Sequence, residues 1–372
     1  MKKYLFYPLY IFLFVFLIDK LFYIPEVREL FVKNNYNFYD MIFNFEDSFY
    51  DYHLEKWKKR GLSEEEIFKN TIVFIGTSRS ETFREYNEKD IINNPFIKDQ
   101  DKILNKPVIA HFMRAGTVFH IYQLFEHVIE KYPKEVVFAL EVNFGGLNEN
   151  SYIRQRKDAE NLKWSSFKEI YPMLTTGQIL GFVTSRLFVL NLYSVSLIKP
   201  LQKTKDQSPE ELIKGLFVLV KQYVATKTDT SSGFTLEGNL EGQESSEVKE
   251  NYKLFIDNFM NTLYYKFKVS NTDDLLFKKM IQSAKEKNIK IIFYRPKIHK
   301  DLRRETDLKF KEAEEKYLND ITIIVNQNGY QYFDLEKEGE LKCAYFRDPS
   351  HLSKTCIPEI IEKFDKVYSH EK

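Results

Sequence analysis

The residues best suited to acyl transfer are a serine early in the chain and an acid and an imidazole near its end. Ser78 closely follows the apolar run 72–75, and Asp348 and His351 stand three positions apart. Acyl transfer through serine needs a nucleophile, a base within hydrogen-bonding reach and a group that orients the base. The sequence therefore predicts a catalytic triad of Ser78, His351 and Asp348.

The residues around Ser78 are typical of a strand that leads into a helix. Four β-branched or aromatic apolar residues precede Gly76 and predict a short buried strand. The polar run from Thr77 to Glu81 predicts the start of a helix. A serine at such a turn lies at the carboxyl edge of a sheet, with its own N–H directed to where an oxyanion forms. Ser80 is the rival nucleophile, but we expect it inside the helix.

Strands and helices alternate along the chain and predict an α/β fold with a parallel sheet covered on both faces. The strands predicted after 71–75 are 107–111, 135–142, 288–294 and 330–334, and the predicted helices include 118–132, 307–326 and 358–368. Gly116 follows the second strand, Asn143 the third, and Asp348 with His351 the fifth. Because open α/β sheets bind ligands at the carboxyl ends of their strands, these residues are expected to converge.

Charge and cysteine content restrict the class of protein. The 372 residues include 55 Lys or Arg and 54 Asp or Glu, without the basic excess that nucleic-acid-binding surfaces normally show. No zinc motif is present, and we expect neither a metal nor an organic cofactor. Cys343 and Cys356 bracket Asp348 and His351. They form a disulfide in an oxidising compartment or remain two thiols in a reducing one.

The amino terminus predicts a membrane anchor. Residues 4–18 carry no charge, and counted to residue 24 the run approaches the roughly 20 residues that a bilayer span requires. No small-residue cleavage site follows, so we interpret 1–24 as an uncleaved transmembrane signal anchor. Lys2 and Lys3 place the amino terminus in the cytoplasm by the positive-inside rule, and the remainder of the chain outside.

The rest of the chain divides into four predicted regions. Residues 25–70 form a membrane-proximal helical stalk, in which Ser63 and Glu66 are expected to make a capping box. Residues 71–150 and 273–372 are the two parts of the α/β core. The interval 151–272 is predicted to be a helical insertion that covers the active-site edge or docks a partner. Within it, 226–246 is rich in Ser, Thr, Gly and Glu and predicts a mobile loop.

These residues resemble the sequence blocks of the SGNH (GDSL-like) hydrolase and acyltransferase superfamily over residues 71–148 and 290–362. Gly76-Thr77-Ser78 matches its Gly-Asp-Ser block, and Asp348-Pro349-Ser350-His351 matches its Asp-x-x-His block. The resemblance implies a flavodoxin-like three-layer sandwich, and an oxyanion hole completed by the Gly116 N–H and the Asn143 side chain. Thr77 departs from the aspartate of the first block, and the third block lacks the usual Gly-x-Asn-Asp.

The anchor and the Gly-Thr-Ser block together resemble the envelope acyltransferase branch, which includes the alginate O-acetylation proteins and the D-alanyl transfer protein of teichoic acids. The chain is also similar to a domain-of-unknown-function family of spirochaete envelopes, whose anchor ends in Asp-Lys as at Asp19-Lys20. Proteins of this branch commonly work beside a membrane-bound O-acyltransferase. The resemblance implies an inner-membrane, periplasmic serine O-acyltransferase or esterase that acts on an envelope glycan or lipid through an acyl-serine.

Several readings remain open. Arg79, Arg114 and Arg295 are candidates for binding an anionic substrate group, or they pair with structural carboxylates. The alternative function is a catalytically inactive scaffold or binding protein of an envelope acylation complex, which the departures in the first and third blocks motivate. A phosphate-binding α/β domain is less favoured, because no glycine-rich Walker-type loop is present.

Overall fold

The computed structural model describes residues 7–22, 24, 27, 50–51, 53–85, 88–92, 94–113, 116–150, 162, 164–188 and 237–369. Contacts divide the chain into two compact units, Met1–Phe45 with Arg156–Leu219, and Glu46–Gln155 with Val220–Lys372. The second unit contains the candidate catalytic residues. It also contains 220–272, which the sequence assigns to the insertion.

Helices of the described residues, in chain order, are α1 (Tyr7–Leu21), α2 (Glu64–Asn70), α3 (Thr82–Glu85), α4 (Glu88–Ile91), α5 (Gln100–Leu104), α6 (Val118–Ile129), α7 (Trp164–Ile170), α8 (Thr176–Leu187), α9 (Ser246–Thr262), α10 (Asn271–Glu286), α11 (Lys300–Gln327) and α12 (Ile357–Ser369). Short 3-10 turns are formed by Ser78–Glu81, Phe144–Leu147, Tyr171–Met173 and Lys354–Cys356. Over the ranges that the structure describes, no helix has both the length and the apolar character needed to cross a membrane.

Strands, in chain order, are β1 (Ile72–Gly76), β2 (Val108–Phe112), β3 (Val137–Glu141), β4 (Asn239–Leu240), β5 (Lys290–Arg295), β6 (Gln331–Asp334), β7 (Tyr345–Asp348) and β8 (His351–Leu352). Five of them form one parallel sheet in the order β2-β1-β3-β5-β6. Counted along the sheet strands alone this is the order 2-1-3-4-5, which is common in doubly wound sheets. The α/β prediction with a parallel sheet is therefore confirmed.

The sheet is packed on both faces, which explains its uninterrupted apolar strands. On one face, Phe74 of β1 stacks on Phe83 at a ring-centroid distance of 3.6 Å and contacts Phe364 of α12 at 5.9 Å. On the other face, Phe277 of α10 contacts Phe293 of β5 at 5.9 Å. A strand covered on both sides buries every residue, so β1 and β3 lack the alternation of a half-exposed strand.

Capping residues explain where two of the helices begin. Helix α2 starts with the predicted capping box: Ser63 N–H donates to Glu66 Oε2 at 2.9 Å, and Glu66 N–H donates to Ser63 Oγ at 3.3 Å. Helix α11 begins at Lys300, well before the predicted residue 307. The side chain of His299 caps it, because the Asp301 N–H donates to His299 Nδ1 at 3.2 Å.

A second, three-stranded sheet in the order β4-β7-β8 is a feature that the sequence does not predict. Asn239 of β4 pairs antiparallel with Phe346 of β7. The described part of the predicted mobile loop, 237–246, is thus a strand and the start of α9. The rest of that loop, 226–236, lies outside the described residues. Tyr252 of α9 also donates its hydroxyl to the Phe346 carbonyl at 3.0 Å, which explains why this stretch packs with the second unit.

Candidate active site

Ser78 and His351 are 273 positions apart in the chain and hydrogen-bonded to each other in the structure. Ser78 Oγ lies 2.9 Å from His351 Nε2. On the other side of the ring, His351 Nδ1 lies 2.8 Å from each Asp348 carboxylate oxygen. With the Nδ1 proton directed to Asp348, the Nε2 lone pair faces the serine hydroxyl, which is the tautomer that a general base needs.

The elements that carry these three side chains are short and well fixed. Ser78 begins the 3-10 turn directly after β1, with Thr77 as the capping residue. Asp348 ends β7 and His351 begins β8, so a tight turn joins the acid to the base. Inside that turn, the N–H and the hydroxyl of Ser350 both donate to Asp348 Oδ1, at 2.9 and 3.0 Å. The carboxylate is thereby held in the position that His351 requires.

Asp348 is held ionised by its surroundings. Burial alone would raise the pKa of this carboxyl group, but the His351 charge, the His351 hydrogen bond and the Ser350 N–H outweigh burial and lower the pKa to about 2. A carboxylate that is charged at neutral pH in this position would stabilise an imidazolium at His351.

Two of the candidate oxyanion donors, Gly116 and Asn143, line a small cavity together with Thr77, and the candidates are not equally available for hydrogen bonding. Ser78 is the first residue of its 3-10 turn, where backbone N–H groups have no acceptor within the turn. The Gly116 N–H donates to the Met113 carbonyl at 3.0 Å, so in this conformation it closes a turn. Asn143 Oδ1 accepts a hydrogen bond from Arg79 Nη1 at 3.3 Å, which leaves its Nδ2 as the outward donor. The oxyanion roles of these groups stay predictions.

The three candidate arginines have different surroundings. Arg79 lies beside the site, bonded to Asn143, with its side chain only 11% exposed. Arg114 lies outside the described residues. Arg295 ends β5 and is paired with Glu314 at 2.9 Å and with Asp334 at 3.3 Å. Because both carboxylates engage its guanidinium, Arg295 fits the structural reading, and we leave it out of the proposed substrate site.

Sequence reasoning missed Glu141, the last residue of β3. Its side chain is completely buried and accepts hydrogen bonds from the Thr77 N–H at 2.8 Å, the Thr77 hydroxyl at 2.6 Å and the Ser80 hydroxyl at 3.0 Å. Ser80 itself is fully buried, so it has no access to a substrate. The one sequence signal for this contact is a carboxylate at the end of an otherwise apolar strand, and it does not indicate which residues the carboxylate contacts.

The two cysteines and the histidines His120 and His299 make contacts within the fold that do not involve Ser78 or Asp348. Cys343 and Cys356 form a disulfide, which decides between the two alternatives that the sequence leaves open. His120 Nδ1 accepts from the Thr117 N–H at 3.1 Å, and His299 Nε2 lies 2.9 Å from Glu244 Oε1. In the part of the chain that the structure describes, no cluster of three or more His, Cys, Asp or Glu side chains is arranged to hold a metal ion.

Comparison with known proteins gives one match. A family model described as "Protein of unknown function (DUF1574)" matches residues 1–367. The chain belongs to this family. No curated protein and no solved structure matches it. The family therefore accounts for nearly the whole length of the chain, and any function must be argued from the site itself.

Proposed function

We propose that this protein is a membrane-anchored serine O-acyltransferase or esterase of the SGNH type, with a flavodoxin-like core. The observation that carries the proposal is the hydrogen-bonded series Ser78–His351–Asp348, with distances of 2.9 and 2.8 Å, at the carboxyl end of β1. In the sheet order, β1 stands between β2 and β3. The crossover after β1 leads to β2 on one side of it, and the crossover after β2 leads to β3 on the other side. The strand order therefore reverses between β1 and β3, and such a switch point is where doubly wound sheets bind their ligands.

The proposed reaction has two displacement steps. His351 Nε2 takes the proton of Ser78 while Oγ forms a bond to the carbonyl carbon of an acyl donor. The carbonyl oxygen becomes an oxyanion, which the Ser78 N–H and the Asn143 amide stabilise. As the tetrahedral intermediate collapses, the bond to the leaving alcohol breaks and His351 gives that alcohol its proton. An acceptor hydroxyl, from a sugar, a lipid or water, then gives its proton to His351 while its oxygen forms a bond to the acyl carbon. As this second tetrahedral intermediate collapses, the bond between the acyl carbon and Ser78 Oγ breaks and His351 returns the proton to Ser78.

Sequence and structure both support a location outside the cytoplasm. The uncharged run 4–18 favours an anchor, and residues 1–6, with Lys2 and Lys3, lie outside the described residues. Disulfides persist mainly in oxidising compartments, and one closes the segment from Cys343 to Cys356. An inner-membrane protein with a periplasmic site would reach envelope glycans or lipids as acceptors. A membrane-bound O-acyltransferase would then be its natural acyl-supplying partner.

One observation favours the alternative of a silent scaffold. The Gly116 N–H, a predicted oxyanion donor, is already bonded to the Met113 carbonyl. A scaffold would keep the triad geometry without an activated serine, so the reactivity of Ser78 separates the two functions.

The test is labelling of the full-length chain in detergent with a fluorophosphonate probe. Wild type is expected to be labelled once, at Ser78, and Ser78→Ala and His351→Ala are expected to lose the label. Ser283→Ala is a matched control, because Ser283 donates to Glu126 on another face of the unit. Labelling that persists in Ser78→Ala, or a folded wild-type protein that takes up no probe, would contradict the proposed function.

A further inference from the structure

We propose that Glu141 is a positioning residue that holds both sides of the oxyanion hole, the Ser78 turn and the Asn143 amide, in one conformation. The inference rests on the proposed function, since it concerns the same nucleophile. Glu141 does not touch the reacting atoms. It acts through the residues on either side of Ser78, namely Thr77, Arg79 and Ser80.

The contacts with Glu141 fix Thr77, the residue that precedes the nucleophile. Glu141 Oε2 accepts the Thr77 N–H at 2.8 Å, and Oε1 accepts the Thr77 hydroxyl at 2.6 Å. One carboxylate thus holds both the backbone and the side chain of the same residue. Thr77 Oγ1 in turn accepts the Arg79 N–H at 3.4 Å, which caps the 3-10 turn. Because Ser78 lies between these two points, the direction of its own N–H is set.

The contact with Ser80 anchors the other end of the turn. Ser80 Oγ lies 3.0 Å from Glu141 Oε2 and 2.9 Å from the Tyr294 hydroxyl. Ser80 has a single proton, which it gives to the carboxylate, so Tyr294 must be the donor in the second bond. Burial, and then the Glu141 charge, raise the pKa of Tyr294 well above its ordinary value, so the phenol keeps the proton that this bond needs.

Arg79 links Glu141 to Asn143, the other candidate oxyanion donor. Its Nη1 lies 3.9 Å from Glu141 Oε1 and donates to Asn143 Oδ1 at 3.3 Å. An arginine has only donors, so it fixes the amide with Oδ1 toward the guanidinium and Nδ2 away from it. The same carboxylate therefore orients the Ser78 N–H through the turn and the Asn143 amide through Arg79.

Close packing around Glu141 explains the glycine of the serine block. A Cβ at Gly76 would overlap Ser80 Oγ and Glu141 Oε2, and would lie 2.8 Å from Glu141 Cβ. Any side chain at position 76 would push the carboxylate away from the turn. The glycine thus allows the carboxylate of β3 to reach the turn after β1, two neighbouring strands whose backbones pair at Ile75 and Leu140.

The energetics favour a single turn conformation. A buried carboxylate without hydrogen bonds is strongly unfavourable, so the three hydrogen bonds that Glu141 accepts favour the turn conformation in which all three donors reach it. All three belong to Thr77 and Ser80. If the turn rearranged, the buried carboxylate would lose these hydrogen bonds, which is energetically unfavourable. An oxyanion hole that is already preorganised before the substrate binds stabilises the oxyanion most strongly.

The test compares Glu141→Gln with Glu314→Gln in the full-length chain. Glutamine offers one acceptor and turns an NH2 group toward donors, so the turn should lose its arrangement. Glu314 is also buried but pairs with Arg295 and Arg303 instead of the Ser78 turn, so its variant controls for general destabilisation. Because small misplacements are costly, we expect fluorophosphonate labelling of Ser78 to slow by about 10- to 100-fold in Glu141→Gln only.

Milder variants keep the inference testable if Glu141→Gln does not fold. Thr77→Val removes one hydroxyl donor at nearly constant volume and should slow labelling, whereas Thr77→Ser keeps the hydroxyl and should restore it. With an ester substrate, the losses should fall on kcat and leave KM and the pH midpoint of activity unchanged. Equal labelling rates in wild type, Glu141→Gln and Thr77→Val would overturn the inference. An unlabelled wild type would instead defeat the proposed function.

Discussion

At the residue scale, the hydrogen-bonded group of Ser78, His351 and Asp348 could be proposed from the sequence, because the type and spacing of its members carry the information. A serine after a buried strand, and an aspartate three positions before a histidine, need no knowledge of distant contacts. Glu141 was not accessible in this way. Its role depends on β1 and β3 being neighbours, and on the lack of a side chain at Gly76, where Glu141 and Ser80 pack closely. Neither of these is visible in the sequence next to Glu141.

The charge of Asp348 leads to a pH prediction. Its pKa in the folded protein is about 2, below the ordinary value of 3.8, so its ionised form stabilises the fold above about pH 4. This stability is lost as the pH falls through the folded pKa. By linkage, the free energy of unfolding of wild type should fall by about 2 kcal/mol more than that of Asp348→Asn between pH 5 and pH 2.

The measurement is urea denaturation of both proteins across this pH range. If the free energy of unfolding changed with pH in the same way in wild type and in Asp348→Asn, the surroundings of Asp348 would not lower its pKa in the folded protein.

At the element scale, the five parallel strands were predictable because each is a short apolar run between helices. Their ends shifted by one or two residues, as expected when only burial marks the boundary. The small sheet was not predictable. β4 and β8 have two residues each and β7 has four, too few to show an alternating pattern. The chain around them is held by Tyr252 of α9, which donates to the Phe346 carbonyl, and by the disulfide.

The disulfide should act on the hairpin that carries the acid and the base. Cys343 precedes β7 and Cys356 follows β8, and the two cysteines are 13 positions apart. Replacing both with serine should lower the free energy of unfolding by about 2 to 4 kcal/mol, chiefly by releasing the unfolded chain. Labelling of Ser78 should also slow, because the turn between Asp348 and His351 loses a constraint.

Urea unfolding with and without a reductant measures this effect. Reductant should destabilise wild type and leave the double serine variant unchanged. If reductant has no effect on folded wild type under conditions that demonstrably open the bond, the hairpin does not depend on it.

At the scale of the whole molecule, the proposed anchor predicts how the chain fractionates. Helix α1 exposes large apolar side chains around its circumference, including Tyr10, Ile11, Phe12 and Leu13. A bilayer would cover all of them. The full-length chain should therefore stay with membranes in alkaline carbonate and be released by detergent. A charged substitution, Leu13→Arg, should weaken this association, because arginine in an apolar span is costly. Wild type in the carbonate supernatant would argue against the anchor.

The separation of β3 from β5 has a consequence during synthesis. A ribosome completes β2, β1 and β3 by residue 141, yet the partner that pairs with the free edge of β3 begins only at Lys290. Until then the nascent chain displays an apolar strand with unpaired backbone groups, which is a template for association with other chains. Newly made copies should depend on chaperones that shield this edge, and slow translation between residues 142 and 289 should increase aggregation rather than relieve it.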